Sequence, residues 1–165
     1  MMTEQFVQSF RACLEELVRP LRYLHKPSGN MIAPQIIDVM LPRPNTQTQE
    51  GDEYPFVRWM ITSGEWYLQK PSTFQLVIDA GIYSAGSISD GNLAILELVH
   101  ALGSLSRMRF VPPTPYRLQT PIAFVLGDPK PENHGIQPHP YYYGRLTLDF
   151  IHAGPSSAPC KQEKP

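Results

Sequence analysis

Three stretches of the chain bring together side chains that carry chemistry in other proteins. Gly86-Ser-Ile-Ser-Asp-Gly91 has the glycine spacing of a phosphate-cradling loop between a strand and a helix. Such a loop needs a lysine and a hydroxyl immediately afterwards to reach phosphate and magnesium, and Asn92 and Leu93 stand there instead. The segment therefore reads as a strand-to-helix turn with a good cap. His134 and His139, with Asp128 and Glu132 near by, offer the imidazole and carboxylate groups that zinc takes, but their spacing matches no closed structural site. They read as surface groups. His100 falls near an apolar helical stripe and reads as a packed, satisfied histidine, not a general base. The serines sit in no Gly-x-Ser-x-Gly elbow, and neither Cys13 nor Cys160 has a nucleophile motif around it. No catalytic, metal-binding or cofactor-binding residue is assigned, and the expectation is a protein without enzymatic activity.

Tyr141-Tyr142-Tyr143 carries a different kind of chemistry. At the start of a strand, Tyr142 is expected to be buried and its two neighbours to share the opposite face. Large amphipathic rings are enriched in protein interfaces. Tyr141 and Tyr143, with Trp59, Trp66 and Tyr67, are accordingly candidates for self-association. Two projections join them: Glu65 to Leu68 at a hairpin tip, and Asp128 to His139, which contributes Asp128, Lys130, Glu132, His134 and His139.

The elements that must position these groups follow from periodicity. Phe74, Leu76, Ile78, Ala80 and Ile82 alternate with Gln75, Val77, Asp79, Gly81 and Tyr83, the pattern of a strand buried on one face. After the turn, with Ser89 or Asp90 as cap, Leu93, Leu96, Val99 and Leu102 recur every three residues, widened by Ile95, Leu98 and Leu105. Gly103 marks the expected end of that helix. A first helix over Thr3 to about Arg19 presents Phe6, Val7, Phe10, Cys13, Leu14, Leu17 and Val18 on one side. Pro20 should stop it, with a short continuation through Leu21 and Leu24. Lys26 to Pro34 reads as a turn-rich connection, Gln35 to Leu41 as a short strand and Arg43 to Glu53 as an exposed loop. Tyr54 to Ser63 is a strand with large groups on both faces, joined by a long hairpin over Ser63 to Pro71 to the strand at Phe74. Ser106 to Tyr116, with Pro112, Pro113 and Pro115, cannot be regular. Arg117 to Leu126 and Tyr141 to Ile151 are two further β runs, the second with Leu146, Leu148 and Phe150 on one face, and the connection between them is long for a compact hairpin.

That order predicts an α+β fold: an antiparallel sheet of four to five strands with two helices packed on one face. Residues 1–152 form a single domain and 153–165 have the composition of a flexible tail. The chain has 165 residues and a formal net charge of -1, which gives no basic field for gripping nucleic acid. Its 18 prolines are about twice the usual share of about 5% and imply many connections. Two cysteines make no disulfide framework and fit a reducing compartment. No apolar run is long enough to span a bilayer, and charged residues interrupt any signal-peptide core near the N-terminus, so a soluble protein made in the cytoplasm is expected.

An N-terminal helix, Glu53-Tyr-Pro-Phe-Val-Arg-Trp-Met-Ile61 entering a strand after an acidic loop, the aliphatic partner strand at Phe74 to Tyr83, a helix after an Asp-containing turn and two closing β runs together resemble one family. It is the tail terminator, or tail completion, proteins of tailed bacteriophages, which include minor tail protein U of lambda-like phages. The similarity covers most of Thr3 to Ile151. It implies a subunit that closes into a hexameric ring on the head-proximal end of the tail tube, stops tube polymerisation and presents a surface to the head connector. The implied partners are further copies of the chain, the tube protein, the head-tail connector and, where the tail is contractile, a sheath protein; DNA would only pass through the lumen. The implied location is the neck of the virion, after assembly in the host cytoplasm. The long proline-rich loops Pro42 to Asp52 and Asp128 to Pro140 depart from smaller members of the family. Two other readings stay open. One is another neck or head-completion component. The other is a small-ligand or enzyme domain with residues 128–140 as a lid.

Overall fold

A computed structural model describes residues 4–38, 51–65, 67, 72–106, 116–127, 132 and 135–152. Helix α1 (Glu4–Val18) is followed by strands β1 (Tyr23–His25), β2 (Asn30–Ile32), β3 (Gln35–Asp38), β4 (Phe56–Glu65) and β5 (Ser72–Tyr83). Helix α2 (Ile88–Gly103), a single 3-10 turn (Ser104–Ser106), β6 (Tyr116–Leu118), β7 (Ala123–Leu126) and β8 (Tyr141–His152) complete the order. The class is α+β. One sheet runs β3-β4-β5-β8-β6, with β7 paired to β8 beside β6, and β1 and β2 form a separate hairpin.

The expected alternation of β5 and β8 is realised. Leu76, Ile78, Ala80 and Ile82 are buried on the same face as Tyr142, Leu146, Leu148 and Phe150, and both helices lie over that face. Helix α1 lays Phe6, Phe10, Leu14 and Val18 into the core. Phe6 meets Phe150 edge-on at 5.4 Å, and Phe150 stacks on Phe74 at 5.0 Å. The geometry of ring contacts adds to their area burial. The helix ends before Pro20, as expected, but no further helical turn follows. Leu21 and Leu24 instead lead into and lie within the β1–β2 hairpin, which replaces the predicted loop.

Four further expectations are corrected. The sheet is mixed, because β3 pairs with β4 in parallel, Gln35 opposite Phe56 and Asp38 opposite Trp59. Residues 39–55 between the two strands are numerous enough for the crossover that a parallel pair needs. The β4–β5 hairpin is longer than expected, with β4 running to Glu65 past a bulge between Ile61 and Ser63. The run over 117–126 is two strands, β6 against residues 150–152 and β7 against residues 144–147. Pro121, which has no N–H for a ladder, lies in the break. The cap of α2 is Ser87, whose hydroxyl accepts from the Asp90 N–H at 3.1 Å.

Helix α2 is also turned relative to expectation. Ile95, Leu98, Val99 and Leu102 are buried, whereas Leu93 is 65% and Leu96 40% exposed. Steps of three fall short of a 3.6-residue turn by about 60° each, so the row 93-96-99-102 winds halfway round the helix and cannot all face the sheet. The stripe at 95, 98, 99 and 102 keeps one face. Its first turn lies directly on the sheet: a Cβ at Gly91 would fall inside the Tyr142 ring.

Candidate interface surfaces

The face of the sheet away from the helices is organised by the register of β4, β5 and β8. Arg58, Asp79 and Arg145 sit opposite one another across the three strands. Asp79 accepts from Arg145 Nε at 2.6 Å and Nη2 at 3.0 Å, and from Arg58 Nη2 on its other side. Its side chain is only 13% exposed. Burial alone would push the Asp79 carboxyl up, but hydrogen bonds from Arg145 and Arg58, with their charge, outweigh it and hold the group below the usual carboxylate range. The same bonds raise Arg145. Two cations share one anion, so the row has one surplus positive charge, and Arg58 Nε is buried with no hydrogen-bond partner among the described residues.

Toward the C-terminal end of β5 the outer face closes into an aromatic cluster. Tyr54 packs edge-on against Phe56 at 5.0 Å, lies 5.0 Å from Tyr141 and 5.7 Å from Tyr143, and donates to the Tyr143 hydroxyl. The approach needs a glycine: a Cβ at Gly81 would meet the Phe56 and Tyr54 rings. Burial, then the bond to Tyr143, pushes the Tyr54 hydroxyl well above its ordinary range. Lys26 of the β1–β2 hairpin lies 5.6 Å above the Tyr83 ring, which in turn meets Tyr141. Next to the cluster, the Gln137 side chain donates to Tyr143 O and accepts from Tyr143 N, both at 2.8 Å, and so stands in for a neighbouring strand residue.

The opposite end of the outer face is an open trough of about 700 Å³. Ser63, Glu65, Thr73, Gln75 and Asp149 line it, and Gln75 donates to Asp149 at 3.2 Å. Tyr67 donates its hydroxyl to Glu65 and its N–H to the Ser72 hydroxyl at 3.1 Å.

The predicted interface residues are therefore not one patch. Tyr141 and Tyr143 do share the outer face, and Tyr142 is fully buried as expected, with its hydroxyl 2.8 Å from His139 Nδ1. Both outer tyrosines are half-buried against Tyr54 within the subunit. Trp59 is a correction: it is 3% exposed, packs on Phe10 at 5.0 Å and donates to Asp38 at 2.7 Å, so it belongs to the core. Asp38 also accepts from Arg11 at 2.7 Å, tying α1 to β3 and β4. Glu65 lies at the trough, Tyr67 is half-buried and donates to Glu65, and Glu132 is exposed. Trp66, Leu68, Asp128, Lys130 and His134 lie outside the described residues, as do Cys160, residues 153–165 and most of the predicted loops at 43–53 and 106–116. Among the described residues no three His, Cys, Asp or Glu side chains converge as a metal site, and no helix is long and apolar enough to cross a membrane.

No protein-family model matches the chain, and no curated protein matches it.

One surface had no counterpart in the reading of the sequence. Between α2 and β7 lies a groove of about 450 Å³, floored by Val99 and Leu146 and walled by Leu96, His100, Ile122 and Phe124. His100 is exposed here, contrary to the packed position expected for it. Phe124 is 55% exposed, and Leu93 extends the apolar strip along the helix. The signal was present in the sequence: Leu93 and Leu96 are left over, with Ile88 in the first turn, among the large apolar residues of α2 once the stripe through 95, 98, 99 and 102 is assigned to the core.

Proposed function

We propose that the chain is a structural subunit of a phage virion, without catalytic activity, which closes as a hexameric ring on the head-proximal end of a tail tube. There it ends tube polymerisation and offers the joining surface for the head connector. The observation that supports this reading is the order of elements and how they are disposed. A helix, the strand entered by Glu53-Tyr-Pro-Phe-Val57, a long hairpin, a capped helix and a closing strand build one sheet covered on a single face. The two lateral edges of that sheet are unlike, β3 on one side and β6 with β7 on the other. A ring needs unlike sides, because a head-to-tail contact joins two different patches and closes only by rotation. The net charge of -1 suits a lumen through which DNA passes without being held.

The deciding experiment is to add the purified protein to tail tubes still able to elongate and to follow tube length and end structure by electron microscopy. Arrested tubes with a ring at one end, absent when the protein is omitted, are the expected result. Tubes that elongate unchanged, with no density at either end, would remove the terminator reading. Binding of the protein to the head connector and not to tubes would favour a head-completion component.

A further inference from the structure

The two edges of the central sheet differ in direction as well as in sequence. Strand β3 runs parallel to β4, β4 antiparallel to β5, β5 antiparallel to β8, and β8 antiparallel to β7. Strands β3 and β7 therefore point in opposite directions at opposite sides of one sheet. Among the described residues neither has a strand on its outer side, although Leu126 O at the end of β7 already accepts from the Gly135 N–H at 2.7 Å, which leaves the stretch around Phe124 as the open part of that edge. Two copies placed side by side with their helices on the same face would bring β3 of one against β7 of the next as an antiparallel pair. The two segments are both four residues long, Gln35–Asp38 and Ala123–Leu126.

We infer that the subunit joins a second copy of itself through this edge pairing, with the groove between α2 and β7 covered by the α1–β3 side of the neighbour. It rests on the head-to-tail ring proposed above. Backbone pairing supplies direction and register. Four residues of strand bury little, and a stable interface removes on the order of 800 Å² from each partner. The groove supplies the apolar remainder at the required place. Leu96 and Phe124 stand exposed beside the β7 edge on the helix face, and the arriving edge carries Ile36 on that same face, under α1. Within one subunit α1 packs on α2, and Tyr23, just after α1, donates to Ala94 O and Glu97 on the flank of α2 away from the groove. The join would give α2 a second α1 on its other flank, so that the helix layer continues with the sheet.

Facing residues in a pair must lie on the same face, which limits the register. On the outer face Ile37 would lie opposite Ala123 or Val125. The test is disulfide trapping in the full chain with Cys13→Ser and Cys160→Ser, carrying Ile37→Cys together with Ala123→Cys or with Val125→Cys. One of the two combinations should form intermolecular disulfides that build a ladder of multimers on mild oxidation, and single-cysteine controls should stop at the monomer or dimer. As a second measurement, Phe124→Lys should raise the concentration at which multimers dissociate at least about tenfold in light scattering, with an unchanged circular dichroism spectrum. A chain that stays monomeric at every concentration, or multimers that form normally with neither crosslink nor sensitivity to Phe124→Lys, would overturn the edge contact. The tube assay separates the two readings: crosslinked rings that do not arrest tubes keep the contact and reject the terminator, whereas arrested tubes without crosslinks do the reverse.

Discussion

On one side of β5, Leu76, Ile78, Ala80 and Ile82 are buried among the rings of two helices and β8. On the other side of the same strand, Asp79 is held between two arginines, and Gly81 lies under a tyrosine cluster. The first face is sealed by apolar packing with no direction to it, while the second is held by oriented bonds between charged groups. The difference teaches where stability and recognition reside. Substitutions on the helix face should cost folding. Those on the outer face should cost less and depend on pH, and those at the α2–β7 groove should hardly affect the isolated subunit.

The largest effect is expected at the centre of the helix face. Phe10 is fully buried and touches the rings of Phe6, Trp59 and Phe150. Removing its ring leaves a cavity in a close-packed layer, so Phe10→Ala should destabilise by about 3–5 kcal/mol, read from the midpoint of denaturant unfolding. A loss under about 1 kcal/mol would mean that α1 is not docked as described.

Gly91→Ala comes next. Alanine is favoured over glycine in a helix by about 1 kcal/mol, so an open site would gain stability. Here the added methyl would enter the Tyr142 ring, which is held beneath by the core, and overpacking of that kind costs about 1–3 kcal/mol or more. A lowered melting temperature is therefore expected, and a raised one would show that α2 does not rest on Tyr142.

On the outer face the expected loss is smaller and depends on pH. Asp79→Asn keeps the shape but removes the charge that Arg58 and Arg145 share, for a cost of about 2 kcal/mol at neutral pH, given the half-exposed arginines. The folded-state pKa of Asp79 is lowered, so its contribution is complete above the unfolded value of about 3.9 and disappears as pH falls through the folded value. The gap between wild type and Asp79→Asn should accordingly close below about pH 4 in parallel unfolding titrations. A gap that persists into acid would assign the loss to geometry and not to charge.

How far these faces can be read from the chain depends on what sets them. The alternation of β5 and β8 is local and strict, so the buried sets Leu76 to Ile82 and Leu146 to Phe150, and the outward placing of Tyr141 and Tyr143, follow from period two alone. Strand β4 carries large residues on both faces, so its own pattern could not say that Trp59 points inward; that depends on β3, whose Asp38 accepts the indole N–H. The parallel pairing of β3 is likewise a choice between distant segments, to which periodicity is blind. Rotation of α2 was legible in principle, since 95, 98, 99 and 102 obey the helical repeat better than 93, 96, 99 and 102. The groove is not legible in any single segment, because it is made by two elements, one of which, β7, continues the apolar pattern of β6 across Pro121.

The smallest effect on the isolated subunit is expected at that groove, and it sharpens the contrast most. Phe124 has the same ring as Phe10 but is 55% exposed, on an edge strand with α2 on one side and no described strand on the other. Phe124→Gln gives up little burial, leaves the β7–β8 ladder its backbone groups and introduces no buried polar atom, so unfolding of the dilute subunit should change by no more than about 0.5 kcal/mol. Unfolding followed at rising protein concentration extends the comparison. If the ring of Phe124 is covered by another copy, wild type gains stability with concentration by mass action and Phe124→Gln gains less, whereas an uncovered ring gives two parallel curves.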